Sequence, residues 1–158
     1  MFSIIIPSFN NIDYLKVCIA SLKKNSFYKN EIIVHINIGV DGSIDYLNSE
    51  KIKFTHTEYN SGICEGVNMA SKLSSKDYIV YAHDDFYFCP NWDKYLYDEI
   101  IKIGHNNFYL SSSTIGTTGN FLNCGDSFDN FNERKFLDNY NSVKFDNLQG
   151  STWAPHVV

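Results

Sequence analysis

The sequence predicts an α/β domain: a Rossmann-like, doubly wound, mostly parallel sheet with helices on both faces. Three observations carry this. Short apolar runs, Phe2–Ile6, Glu31–Asn37 and Tyr78–Ala82, alternate with segments of helical periodicity. The runs are nearly continuous rather than alternating, as in strands buried on both faces. Polar clusters follow them, above all His83-Asp84-Asp85, where open α/β sheets bind ligands beyond their carboxyl ends.

The elements follow in order. Phe2-Ser3-Ile4-Ile5-Ile6 reads as a buried strand stopped by Pro7. A helix follows, with Asn10 or Asn11 as N-cap, Asp13 in its first turn and Lys23-Lys24 in its last. Its apolar stripe is Ile12, Leu15, Cys18, Ile19 and Leu22. Glu31–Asn37 is the second strand, and Gly39-Val40-Asp41-Gly42-Ser43 is a turn. A short helix near Ile44–Ser49 leads to Ile52–His56, whose alternation suggests a half-exposed strand. Asn60-Ser61-Gly62 opens a third helix with Val67, Ala70 and Leu73 inward. After the strand ending in His83-Asp84-Asp85, Pro90-Asn91 caps a helix through Trp92, Leu96 and Ile103, closed by Gly104. Phe108-Tyr109-Leu110 is expected to be another strand.

Residues 1–158 are expected to form one domain, with residues 1–113 as its core. The segment 114–150 is rich in Gly, Asn, Asp, Ser and Phe, with at most one or two helical turns around Glu133–Tyr140. An irregular stretch of that length covers a site or is mobile. Residues 151–158 are expected to be a terminal strand.

Composition excludes several classes. A net charge of −5 without a Lys/Arg cluster argues against a nucleic-acid partner. No apolar run is long enough to span a bilayer and no signal peptide is evident, so a cytoplasmic protein is expected, at most peripheral at a membrane. Cys18, Cys64, Cys89 and Cys124 contain no Cys-x-x-Cys pair and read as inert thiols. His35, within a run of apolar residues, reads as a satisfied core histidine, His56 and His105 as surface residues, and Trp92 as a helix anchor.

The chemistry concentrates at the acidic strand end. Asp84 and Asp85 repel each other unless something positive compensates them, and a divalent cation carrying a phosphorylated ligand does so. Other motifs precede this one in order: Pro7-Ser8-Phe9-Asn10, Asn37-x-Gly39-x-Asp41-Gly42-Ser43, and Asn60-x-Gly62-x5-Asn68. Together they resemble the nucleotide-binding half of GT-A glycosyltransferases, specifically inverting family 2, over residues 2–104 with weaker support to 158. In that family the first strand ends in Pro-x-Tyr-Asn, the second in Asp-Asp-Gly-Ser and the fourth in Asp-x-Asp.

The resemblance implies a metal-dependent transfer of sugar from a nucleoside-diphosphate donor, expected to be UDP-linked, to an acceptor hydroxyl with inversion. The acceptor would be a glycan, lipid or protein of unknown identity. Pro7, Phe9, Asn37, Asp41, Asn60, Gly62, Asn68, His83 and Asp84 are then the donor-binding candidates, and Asp85 the ligand of Mn²⁺ or Mg²⁺. Phe9 would stack on the base, although a plain core role is the competing reading. Asn37 stands first in the second motif; by its amide it could pair with either face of a pyrimidine imide. Alternatively, Asn37 and Asp41 merely shape a turn. Asn60, Gly62 and Asn68 would bring a helix start toward phosphate or ribose. His83 stands where the family has its first Asp, a departure from the pattern.

Inverting transfer needs a general base. The family's base follows a later segment that this sequence does not contain, so the acceptor side is expected to be incomplete within these residues. Asp126, Asp129, Glu133 and Asp138 are candidates by composition alone. The rival reading is a nucleotide-sugar-binding module without transfer activity of its own.

Overall fold

A computed structural model describes residues 1–110, 124–125 and 130–140. The chain divides into two compact units, Met1–Gly104 and His105–Val158. The first contains β1 (Phe2–Phe9), α1 (Ile12–Asn25), β2 (Glu31–Asn37), α2 (Ser43–Ser49), β3 (Lys53–Thr57), α3 (Gly62–Ser71), β4 (Tyr78–Tyr81) and α4 (Trp92–Ile103). The described part of the second has one helix, α5 (Glu133–Asn139), capped by the Asn132 side chain on the Lys135 N–H.

The strands form one sheet in the order β3-β2-β1-β4, and every neighbouring pair is parallel. The chain moves outward from β1 to β2 and β3, then crosses back to β4. Right-handed crossovers therefore put α1 and α2 on one face and α3 on the other. On the α3 face, Ile5 and its register partner Ile33 pack with Ala70 and Val67. Two residues along β2, on the same face, the His35 ring meets Gly66, one helical turn before Ala70. A Cβ at Gly66 would lie 2.5 Å from His35 Cδ2. The other helical layer is anchored by Leu15, Cys18, Ile19 and Leu22 of α1, all buried.

The expectations for single elements meet three corrections. β1 does not stop at Pro7 but runs on to Phe9. Ile5 is the last β1 residue paired with β4, and its carbonyl accepts from the Ala82 N–H. Pro7 has the same orientation two residues later and has no β4 partner to disappoint, while pairing with β2 continues through Phe9. Phe108-Tyr109-Leu110 is not a strand; it is irregular chain with Tyr109 exposed. Leu73 lies beyond the end of α3 and is exposed. Residues 111–123, 126–129 and 141–158 lie outside the described residues, and with them most of the long irregular segment, the terminal strand, Asp126 and Asp129.

Cross-links between elements hold the carboxyl edge in place. Asn11 occupies the N-cap position of α1, yet its side chain makes no cap bond, being turned to Asp84 instead. The cap comes from Asp41, whose Oδ2 accepts from the Ile12 N–H at 2.8 Å. Asp41 also receives the Ser43 N–H and hydroxyl at the start of α2. One carboxylate thus serves two helix N-termini, where the macrodipole favours negative charge. At the opposite end of α1, fully buried Asp93 accepts from the Phe27 and Tyr28 N–H groups and from the Asn30 amide. Trp92 packs on Phe2 and Phe88 and donates to Ser26, so it is the anchor its sequence position suggests. Among the described residues no helix is long and apolar enough to cross a membrane.

Candidate functional site

A cleft of about 400 Å³ opens at the carboxyl ends of the strands. The sheet reverses its winding between β1 and β4, and an open sheet offers its crevice at that switch point. The end of β1 contributes Pro7, Ser8 and Phe9, followed by Asn10 and Asn11. Asn37 enters from β2, His83 and Asp84 from the chain after β4, and Asn60, Gly62 and Ile63 from the start of α3. Seven of the expected donor residues therefore line one cavity. The other two do not line it, Asp41 capping helices and Asn68 being exposed on α3, and neither does the expected metal ligand Asp85, exposed one residue past Asp84.

Each wall has a local cause. Phe9 is the last residue of β1 and is 48% exposed, so it is not a core side chain. Its register partner on β2 is Asn37, which is buried. Asn37 Oδ1 accepts from both the N–H and the hydroxyl of Ser61, at 2.8 and 2.9 Å, and its Nδ2 donates to the Ser8 carbonyl at 3.4 Å. Asn10, in the left-handed region at φ 47°, accepts from the Gly39 and Val40 N–H groups. Gly39 itself sits at φ 77°, and a Cβ there would come within 2.6 Å of Ile36, so the turn after β2 needs a glycine. Asn60 Oδ1 accepts from the Gly62 N–H, which folds the entry to α3.

The acidic wall is polarised. Ser8 Oγ donates to Asp84 Oδ2 at 2.6 Å. Burial pushes the Asp84 carboxyl above its usual range; hydrogen bonds from Ser8 and Asn11 pull it down, and the charge of Asp85 pushes it up again. The lining contains no Lys or Arg. His83 Nε2 lies 2.9 Å from the Tyr81 hydroxyl, with its ring between Tyr81 and Phe86.

Among the described residues no three His, Cys, Asp or Glu side chains cluster closely enough to hold a metal by themselves. Consecutive carboxylates on Asp84 and Asp85 nevertheless suit a hard cation such as Mg²⁺ or Mn²⁺. Such ions take few protein ligands when phosphate oxygens and water complete the shell. The raised Asp84 carboxyl, without a basic partner in the lining, is where positive charge is lacking. The donor set fits the metal.

Ser8, Asn11 and Ser61 were not singled out as site residues by the sequence. Their signal was present: a hydroxyl or amide immediately at a strand end or helix start. Their partners are distant in sequence, and only the register brings them together.

The family described as Glycosyl transferase family 2 matches residues 3–152. Among solved structures, S. aureus TarS 1-349 in complex with UDP is 24% identical, with a TM-score of 0.59, covering 64% of this chain and 32% of that one. A structure of S. aureus TarS gives 23% identity and a TM-score of 0.55, with 64% and 19% covered. The mannosyltransferase PcManGT from Pyrobaculum calidifontis, in complex with GDP-Man and Mn2+, gives 14% identity and 0.53, with 60% and 30% covered. The matched part of the chain spans about a third or less of these proteins. A search among curated proteins finds no match.

Proposed function

The chain belongs to glycosyl transferase family 2, and from that premise we propose that it binds a nucleoside-diphosphate sugar in the strand-end cleft and takes part in moving the sugar to an acceptor hydroxyl. The observation that carries this reading is the convergence of an exposed aromatic ring, amide groups, a helix entry and the Asp84 carboxylate in that one cleft, with Asp85 next to it in sequence. The nucleotide is UDP, which the family resemblance favours, and the transfer inverts the anomeric centre.

Each role follows from chemistry. Phe9 offers a flat face on which a base stacks, worth about 1–3 kcal/mol. Asn60 and Gly62 bring the start of α3 toward ribose or phosphate, where N–H groups at a helix start favour oxygen acceptors. Asp84 and Asp85 hold Mn²⁺ or Mg²⁺, which when bound offsets the charge that builds on a departing diphosphate. Ser8 and Asn11 fix the Asp84 carboxylate by hydrogen bonds. Asp41 supports the site by clamping α1 and α2, and His83 completes the donor side. Glu133 and Asp138 lie on the short helix of the second unit and remain base candidates by residue type.

Titration calorimetry with UDP tests the reading: tight binding with Mn²⁺, weak binding in EDTA, and an Asp85→Asn variant that no longer distinguishes the two. Equal affinity in Mn²⁺ and EDTA would remove the metal from the proposal. Binding of no nucleotide diphosphate at all would overturn it.

A further inference from the structure

A polar chain runs behind the cleft from the interior of the sheet. His35 is fully buried on β2. Its Nδ1 lies 2.8 Å from Thr55 Oγ1, and its Nε2 lies 3.2 Å from Ser61 Oγ and 3.3 Å from Thr57 Oγ1. The hydroxyl hydrogens decide the tautomer. Ser61 gives its hydrogen to Asn37 Oδ1, and Thr57 gives its hydrogen to the Tyr59 carbonyl. Both oxygens therefore accept from His35, so Nε2 carries the proton and Nδ1 accepts from Thr55. Burial pushes the imidazole below its ordinary value, and hydrogen bonding toward Asn37 only partly offsets this. The ring is neutral at pH 7.

We propose that His35 and Ser61 lock the Asn37 amide with its carbonyl turned into the protein, which makes Asn37 a donor-only, specificity-determining residue that takes a carbonyl oxygen of the nucleobase. Two Ser61 donors converge on Asn37 Oδ1, while Nδ2 points to the Ser8 carbonyl. Turning the amide over would set Nδ2 against the Ser61 N–H and Oδ1 against the Ser8 carbonyl, losing both of these hydrogen bonds at a buried position and forcing the Ser61 hydroxyl to turn its hydrogen away. Nδ2 has a second hydrogen, and Asn37 lines the cleft. The side chain adjacent in register is Phe9, so a base on the Phe9 ring presents its edge beside Asn37. Asn10 and Asn60 reinforce the pattern, since their carbonyls are also occupied by backbone N–H groups. An amide locked this way does not accept the imide N–H of a pyrimidine; it donates to a carbonyl oxygen flanking it.

This inference rests on the nucleotide-binding reading, and its test separates the two. ¹⁵N NMR of the ligand-free protein reads the lock: one neutral, Nε2-protonated His35, which shifts in Ser61→Ala. Calorimetry with UDP and Mn²⁺ reads its consequence. Asn37→Asp, which accepts but cannot donate, should lose about tenfold or more in UDP affinity, the equivalent of one hydrogen bond. Ser61→Ala should lose less, because its backbone N–H still holds Oδ1. UDP binding by Asn37→Asp at or above the wild-type affinity would overturn the inference. So would a Ser61→Ala variant with unchanged His35 resonances, a result that stands even if Asn37→Asp fails to fold. A wild-type protein that shows the lock but binds no nucleotide would refute the functional reading instead.

Discussion

Replacing Gly66 by Ala tests whether the His35 chain is rigid. Gly66 is helical and buried in α3, above the His35 ring. Its new Cβ would lie 2.5 Å from Cδ2, 3.1 Å from Cγ and 3.3 Å from Nε2 of that ring. A flexible neighbour would step aside, but this ring is held by Thr55, Thr57 and Ser61. Two effects then oppose each other. Ala in place of Gly in a helix interior favours folding by about 1 kcal/mol. Overpacking a dense interior costs about 1–3 kcal/mol, and here it also strains three hydrogen bonds. The clash wins, with a net loss near 1 kcal/mol, which lowers Tm by about 2–4 °C in a chain of this length. Circular-dichroism melting of Gly66→Ala measures it. In a His35→Ala background the space is open, so the same substitution should change sign and stabilise. A wild-type background in which Gly66→Ala melts at the same or a higher temperature would show that the ring yields and that the chain is not a rigid support.

Phe9→Ala should weaken UDP binding by about 1–3 kcal/mol and leave Tm nearly unchanged, because the ring is half exposed; a large fall in Tm would restore the core role. Asp41→Ala should destabilise by about 1–3 kcal/mol, since α1 and α2 lose their shared acceptor, whereas Asp41→Asn, keeping one acceptor oxygen, should lose less; urea titration separates them. Glu31 should set part of the acid limb of stability. Burial alone would raise its carboxyl, but hydrogen bonds from Lys53, Ser3 and Ser75 hold it down to about 2 from an ordinary 4.5. A carboxyl lowered on folding contributes stability that is present above pH 4.5 and lost as pH falls toward 2. Glu31→Gln should therefore flatten the pH dependence of Tm in that window, and an unchanged slope would contradict the assignment. Exposed Cys64 should react with a thiol reagent in the native protein. Buried Cys18, its thiol pushed well up by burial and by Asp84 and Asp85, should react only on unfolding.

By itself the sequence determined the alternation of strands and helices, and with it the parallel sheet. Continuous apolar runs need cover on both faces, and only helical crossovers supply it. It also located the strand-end polar clusters, which is why Phe9, Asn37, Asn60, Gly62, His83 and Asp84 could be named before their cleft was seen. Tertiary structure decided what each of those polar groups is bonded to. Asn37 looked like an amide with two usable faces, and only the approach of Ser61, from a different segment, turns one of them inward. Asp41 looked like a ligand or a turn residue, and it is the shared cap of two helices. Pro7 looked like a strand terminator until β4 proved too short to ask for its missing N–H. His35 was legible as a core histidine, but its proton position depends on hydroxyls of β3 and α3 that share no local pattern with it. Periodicity reports which face is apolar. A hydrogen-bond partner across strands is set by register and by how crossover helices land, and no local run of residues encodes either.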